Sequence, residues 1–424
     1  MYDIFSIQDV NMPKDFLWGS GYAGHQVEGN NTNSGNWKRE QEWDHTPEWD
    51  LSGMACNSYE MYMDDVELVS KLGHKAFRTS IEWSRIQPDE NTFSKEVADH
   101  YVKFFAALKE RGIKVFCTIV HFTLPIWFEE KGGFSKEENL IYFEKFLDYI
   151  VPKIAPYVDF YNVWNELNLR EDKLISLKFH ALGYHTIKRY TSSPVSSALA
   201  FINYMPFSPN NKMDIAAAKY LDAQTNEYFF HAMRTGEAVQ IGEDGYYSEN
   251  IKNTIDFWSI NMYTRTLVDA RRKGGNASYY HKKLKLIDMD FYLEEFYPEC
   301  MINNLTRLTD KPVYITENGV ACRDDRFRIV YMLLHLSALR QCIDMGVDVK
   351  GFLYWSLLDN YEWRSYIPTF GLCSVDRESG KFERTPRGSA WMYKEIIEKN
   401  GFNQELIRKY IQELPSLGLS NRIT

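Results

Sequence analysis

Phe160-Tyr161-Asn162-Val163-Trp164-Asn165-Glu166 is a short, mostly apolar and aromatic run that ends on two polar side chains. A strand buried on both faces of a sheet has this appearance, because neither face needs to meet water. The same form recurs at Pro312-Val313-Tyr314-Ile315-Thr316, which runs directly into Glu317-Asn318-Gly319. Reading outward from these two gives six more runs of the same kind. They are Phe16–Ser20, Ala76–Ile81, Val115–Val120, a segment around Ala198 to Ile202, a segment around Ile255 to Ile260, and Gly351–Trp355. Helical patterns fill the gaps. Tyr59, Tyr62, Met63, Val66, Val69 and Leu72 recur at helical spacing and stop at Gly73. Val97, Tyr101, Phe104, Phe105 and Leu108 do the same and stop at Gly112. Further helices are expected over 136–155, 171–191, 214–234, 290–308, 325–345 and 387–398. Strands alternating with helices predict either a parallel barrel or a doubly wound sheet. No glycine-rich phosphate loop follows the first strand, which weakens a nucleotide-binding sheet. A count of eight strands predicts an α/β fold, a single (β/α)8 barrel, with residues 1–424 as one catalytic domain.

The composition agrees with an enzyme of small molecules. The chain has 424 residues, 44% of them hydrophobic and 15% aromatic. That is enough for a large core and for rings to spare, and flat sugar faces pack well on aromatic side chains. A net charge of −9 argues against nucleic acid as a partner, since phosphate binding needs a basic face. No stretch approaches 18 apolar residues, so no membrane span is expected. The start, MYDIFSIQDVNMPKD, lacks the basic and apolar regions of a secretory signal. Cys56, Cys117, Cys300, Cys322, Cys342 and Cys373 are scattered, with no C-x-x-C pair, which predicts free thiols in a cytoplasmic protein. Oligomeric state is not legible.

Barrels place chemistry at the C-terminal ends of their strands. Glu166 and Glu317 each follow a buried run, so both point into one mouth. Two carboxyls at one mouth suit glycoside hydrolysis, where one protonates the leaving oxygen and the other attacks the anomeric carbon or activates water. Either Glu alone reads as an ordinary loop residue; together they do not. Arg78 lies inside the second strand, and a buried guanidinium needs a carboxylate partner. His121 ends the third strand. No H-E-x-x-H or clustered His/Cys pattern exists, so neither metal nor cofactor is expected. Trp355 through Trp363 follow the eighth strand and bring Glu362 and two tryptophans to the mouth.

Taken in order, these motifs resemble glycoside hydrolase family 1, the β-glucosidase family. The resemblance runs from about Met12 to Lys399. It is carried by Phe16–Ser20 with Gln26-Val27-Glu28-Gly29, Phe77–Ile86, His121–Pro125, Trp164-Asn165-Glu166, Asp256–Tyr263, Ile315–Gly319 and Trp355–Trp363. It implies Glu166 as acid/base and Glu317 as nucleophile of a configuration-retaining reaction, with the carboxyls about 5–5.5 Å apart. It implies that Arg78 and Tyr263 hold Glu317 ionised and aligned, and that Asn165 bonds the sugar 2-hydroxyl. It implies Gln26, His121, Glu362 and Trp363 as ligands of the other hydroxyls, and Trp355 as the stacking platform. The substrate implied is a small β-glycoside, most often of glucose. The nucleophile's charge is expected to raise the pKa of the acid until glycosylation removes that charge.

Three departures bear on the site. Leu167 stands where proline usually follows the acid, which implies an altered loop there. Phe122 stands where tryptophan is common, which implies a looser wall. The stretch Asn168–Tyr190 lacks a long loop after the fourth strand, which implies a more open aglycone side. Other readings are a 6-phospho-β-glycosidase, a transglycosylase and a non-catalytic carbohydrate-binding protein. The first is disfavoured by Glu362, which would repel phosphate, and by Arg364-Ser365-Tyr366-Ile367, which does not match the family's phosphate site. The last is disfavoured by the presence of both Glu166 and Glu317.

Overall fold

The computed structural model describes residues 4–42, 49–272 and 295–412. Its main sheet is parallel and closes on itself. The strands are β1 Leu17–Gly21, β2 Ala76–Ser80, β3 Lys114–Val120 and β4 Phe160–Trp164. They continue as β5, in two segments Val195–Ser196 and Ala198–Ala200, then β6 Trp258–Asn261, β7 Val313–Asn318 and β8 Val349–Trp355. The first segment of β5 pairs with β4 and the second with β6, so this strand closes the barrel. β8 pairs with β1 at the other seam. The expected fifth strand at Ala198–Ile202 begins earlier, at Val195, with the small polar Ser196 in its first segment and Ser197 between the two. The sixth begins at Trp258, with Ile255 and Phe257 buried just ahead of it.

The helices form for local reasons. In α2, Lys95–Glu110, the Ser94 side chain accepts from the Val97 amide and caps the first turn. Its buried residues, Ala98, Tyr101, Phe104, Phe105 and Leu108, fall three and four apart on one face. Gly112 follows at φ +72°, a left-handed conformation that costs glycine nothing, and Gly73 ends α1, Tyr62–Lys71, in the same way. Next come α3 Leu140–Ile154 and α4 Lys173–Tyr190. The helix expected over 214–234 is two helices, α5 Lys212–Asp222 and α6 Tyr228–Thr235, joined by a wider turn at Ala223–Glu227. Then follow α7 Cys300–Leu305, α8 Asp325–Asp344 and α9 Gly388–Lys399. Of the helix expected over 290–308, residues 290–294 lie outside the described residues.

The barrel interior has two storeys. At the N-terminal end, Ala76, Phe116, Phe257 and Leu353 form a cluster separate from the main core, with Leu17, Phe160 and Tyr314 against it. Phe116 and Phe160 stack at 4.2 Å, and Phe257 meets Tyr314 edge-on at 5.4 Å. This plug closes the bottom. Above it, the inward positions turn polar: Arg78, Thr118, Asn162, Ser259 and Thr316, all buried. Two residues after each bottom position, the side chain points inward again, so the alternation lifts the chemistry one storey up.

Candidate active site

The C-terminal mouth holds a cavity of about 250 Å³. Gln26, His121, Asn165, Glu166, Tyr263, Glu317, Trp355, Glu362 and Trp363 all line it. Arg78, the tenth residue named from sequence, lies beneath Glu317. Phe122 and Phe370 complete the wall.

Glu317 sits on an irregularity. Along β6 the register jumps from Ile260 opposite Ile315 to Asn261 opposite Glu317. Along β8 it jumps from Ile315 opposite Phe352 to Asn318 opposite Tyr354. An extra residue on β7 therefore bulges at Thr316–Glu317, a device that re-aims a side chain beside an active site. The re-aimed carboxylate is 4% exposed. The Arg78 guanidinium forms an ion pair with its Oε1, and the Tyr263 hydroxyl donates to its Oε2 at 2.7 Å. Tyr263 is held in turn: Tyr331 donates to its carbonyl at 2.8 Å, and the Asn318 side-chain amide donates to Tyr331 at 3.1 Å.

Glu166 is presented differently. It takes φ +51°, a left-handed conformation unusual for a residue with a Cβ, and so turns β4 sharply into the single helical turn Leu167–Leu169. Leu167 drops into the core, fully buried. The Asn168 side chain clamps both the N–H and the C=O of Ala200, at 2.8 and 2.7 Å, which fixes this turn to β5. Helix α4 starts at Lys173, so the connection after Glu166 is short, as the missing loop implied.

The two carboxyls differ in electrostatics. Burial pushes the Glu166 pKa up to about 8, and the negative charge of Glu317 adds to that rise. The Asn261 amide, 3.4 Å from Glu166 Oε1, and the charge of Arg78 oppose it. Glu362 is also pushed up to about 8, first by burial, with the Trp355 indole N–H at 3.0 Å opposing and the Glu317 charge adding. So of the three carboxyls in the cavity, Glu317 alone is ion-paired to the single guanidinium, and the other two favour their protonated forms. His121 is held well below the usual imidazole value by burial and then by the charge of Arg78, so it is neutral.

Asn165 is the hub between these groups. Its Oδ1 accepts from Arg78 at 2.5 Å and from Asn261 at 3.0 Å, and its amide lies 3.2 Å from His121 Nε2. Gln26 donates to Asn360 at 2.9 Å, while its buried Oε1 has no partner. The rings of Trp355, His121 and Trp363 lie nearly parallel, and Phe122 meets Trp363 edge-on at 5.3 Å. Asn261, Asn360 and Phe370 were not named from sequence. Asn261 lay within the quoted Asp256–Tyr263 stretch, but nothing in that stretch announces its contact with Glu166. Asn360 lay within Trp355–Trp363, and Phe370 carries no pattern to announce it.

A (β/α)8 barrel whose mouth opposes an ion-paired carboxylate to a half-buried carboxylic acid has the equipment of a glycoside hydrolase. Comparison with known proteins places it further. The model of glycosyl hydrolase family 1 matches residues 8–174 and 173–402. The chain belongs to that family. It is 29% identical to "Beta-glucosidase A" of Acetivibrio thermocellus, over 93% of this chain and 99% of that protein. It is 27% identical to "6-phospho-beta-galactosidase" of Streptococcus mutans, over 91% of this chain and 98% of that one. A solved β-glycosidase from Pyrococcus horikoshii superposes with a TM-score of 0.84 at 32% identity, covering 96% of this chain and 99% of that chain. Among the described residues, no group of His, Cys, Asp and Glu is placed to hold a metal, and no helix is long and apolar enough to cross a membrane. All six cysteines are buried free thiols.

Proposed function

We propose that the chain is a retaining β-glycosidase that releases a terminal neutral β-linked sugar, glucose first among the candidates, from small glycosides, with residues 1–424 acting as one catalytic domain. The observation that carries this reading is the unequal pair at the mouth: Glu317 is paired to Arg78 and Tyr263, and Glu166 is half-buried and raised to about 8. Glu317 attacks the anomeric carbon as the bond to the leaving oxygen breaks, and Glu166 delivers its proton to that oxygen. Glu317 is now an ester without charge, so the cause that raised Glu166 through it is gone. Glu166 then takes a proton from water, which attacks the anomeric carbon and frees Glu317.

The other residues serve the sugar. Asn165, its Oδ1 already occupied by two donors, turns its amide to the 2-hydroxyl. Gln26, with an unpartnered Oε1, His121, Glu362 and Trp363 take the remaining hydroxyls, and Trp355 supplies the stacking face. A 6-phospho-glycoside is disfavoured, because Arg364-Ser365-Tyr366-Ile367 does not match the family's phosphate site and a phosphate dianion beside Glu362 would have to keep that carboxyl protonated. Transfer to a sugar or alcohol uses the same first step and differs only in the acceptor. Six buried free thiols fit a reducing, cytoplasmic setting.

The test is turnover of aryl β-glucoside, β-galactoside, β-fucoside, β-xyloside and 6-phospho-β-glucoside. Activity on a neutral glycoside is expected, and activity on the phosphorylated one alone would reverse the reading of Glu362. In Glu166→Ala, azide should restore turnover and give a β-glycosyl azide. An α-azide would mean that the stereochemistry is inverted.

A further inference from the structure

Beside the catalytic cavity lies a second, smaller cleft. Phe122 and Asn165 belong to both, and Leu124, Phe134, Trp164 and Arg170 close it. Including its open mouth it measures about 240 Å³, but its enclosed part is only about 10 Å³, room for one water-sized atom. Its walls are apolar except for Asn165 and two donors that lack acceptors. The Trp164 indole N–H is buried and has no partner. The Arg170 guanidinium is half-buried, lies 5.3 Å from the centre of the Trp164 ring, and makes no hydrogen bond or ion pair among the described residues.

Half-burial without a carboxylate is costly for an arginine, which is why such groups are nearly always paired. Burial indeed pulls the Arg170 pKa down, and the acidic groups that pull it back are Asp172, Glu129 and Glu171. None of them lines the cleft, and Glu129 is committed to Arg39 at 2.6 Å. Arg170 ends the turn that begins at Glu166, and its own amide donates to Leu167 at 3.3 Å. It therefore stands on the side of the mouth where the acid meets the leaving group.

We propose that Arg170 and the Trp164 indole form an acceptor site for a carboxylate carried by the leaving group, so that this enzyme prefers β-glycosides of acidic aglycones. This rests on the reading of Glu166 as the acid. One carboxylate oxygen fills the enclosed space and accepts from Trp164, and the other lies at the open mouth against Arg170.

The experiment compares 4-carboxyphenyl with 4-carbamoylphenyl β-glucoside, which differ in charge and little in shape. Wild type should favour the acid by about tenfold in kcat/KM, in line with a charge-assisted bond in a partly desolvated site. Arg170→Gln should abolish the preference and Arg170→Lys should keep part of it. Because the readout is a ratio, loss of folded enzyme cancels. An unchanged ratio in Arg170→Gln overturns the proposal. Benzoate binding by calorimetry separates the two readings. If no glycoside turns over, benzoate that binds wild type and not Arg170→Gln upholds the anion site while removing the catalytic reading. Benzoate that binds neither protein, or both equally, overturns the site.

Discussion

The two storeys of the barrel are built from the same strands by opposite rules. At the bottom, the first inward residues are Leu17, Ala76, Phe116, Phe160, Tyr314 and Leu353, packed ring on ring. At the top, the same strands present Arg78, Asn165, Glu166, Glu317 and Trp355, with Arg78 and Glu317 joined in a buried ion pair. The bottom carries one slip in register, at Val313/Tyr314 against β8. The top adds a bulge at Thr316–Glu317 and positive φ at Phe122, Glu166 and Trp363. Strained backbone of this kind costs about 1–3 kcal/mol per residue and persists only where neighbours over-determine it. The plug supplies that rigidity, and the mouth uses it to hold carboxyls in place.

If this division holds, substitutions in the two storeys should separate activity from stability. The largest effect belongs to the mouth. Glu317→Gln should reduce kcat by at least about 10⁴-fold on every β-glycoside, as loss of a covalent nucleophile does. It should leave the protein folded, since the isosteric amide can still accept from Tyr263, but less stable, because Arg78 loses its buried counter-charge. Wild-type-like turnover in this variant would end the assignment. Next comes the plug. Phe116→Ala leaves a cavity among Phe160, Phe257 and Tyr314 and should cost about 3–5 kcal/mol in denaturant unfolding. The folded fraction should keep kcat within about threefold, less than 1 kcal/mol of barrel distortion felt at the mouth. A tenfold fall in kcat with unchanged stability would show that the storeys are not separable.

The contrast also explains what could be read from the sequence. Buried strands such as Val115–Val120 and Phe160–Trp164 announce themselves because both faces must be apolar, and the helices that cover them carry a 3.6-residue stripe ending at Gly73 or Gly112. The weakest strand was the fifth, where Ser196 and Ser197 break the apolar run and pairing to two neighbours decides the bounds. At the mouth, residues at strand ends were legible because a buried run ending on Glu has no structural need to do so, and the family resemblance supplied their roles. Asn261, Asn360 and Phe370 were not legible. Asn261 lies opposite the bulge on β7, and that bulge has no local sequence signature here. Nothing in the sequence sets Arg170 apart from a solvated loop residue.

A third effect concerns the pH profile of kcat/KM, which reports the free enzyme. As the proposed acid, Glu166 acts in its protonated form, and burial raises it to about 8, so activity should persist through neutral pH and fall as pH rises through about 8. Glu362 titrates in the same range, so the limb needs assignment. Glu362→Gln should lower kcat/KM yet keep the limb. Disappearance of the limb in that variant would move it from Glu166 to Glu362.

The smallest effect is the sharpest probe of the mouth's wiring. Asn261 sits on β6, opposite the bulge, and its amide lies 3.4 Å from Glu166 Oε1. A donor favours the ionised carboxylate, so this contact lowers the Glu166 pKa against the rise from burial. Asn261→Ala removes it. The sign follows directly: the acid becomes harder to ionise, and the alkaline limb should move to higher pH by about 0.5 pH unit, as a long, weak bond would give. The same substitution takes one donor from Asn165 Oδ1 and leaves Arg78 as the other, so KM should rise modestly while the limb moves. A limb that moves down instead would mean that Asn261 stabilises the protonated acid through its carbonyl. That carbonyl already accepts from Thr316 at 2.9 Å, which ties the orientation of Asn261 to the bulge that carries Glu317.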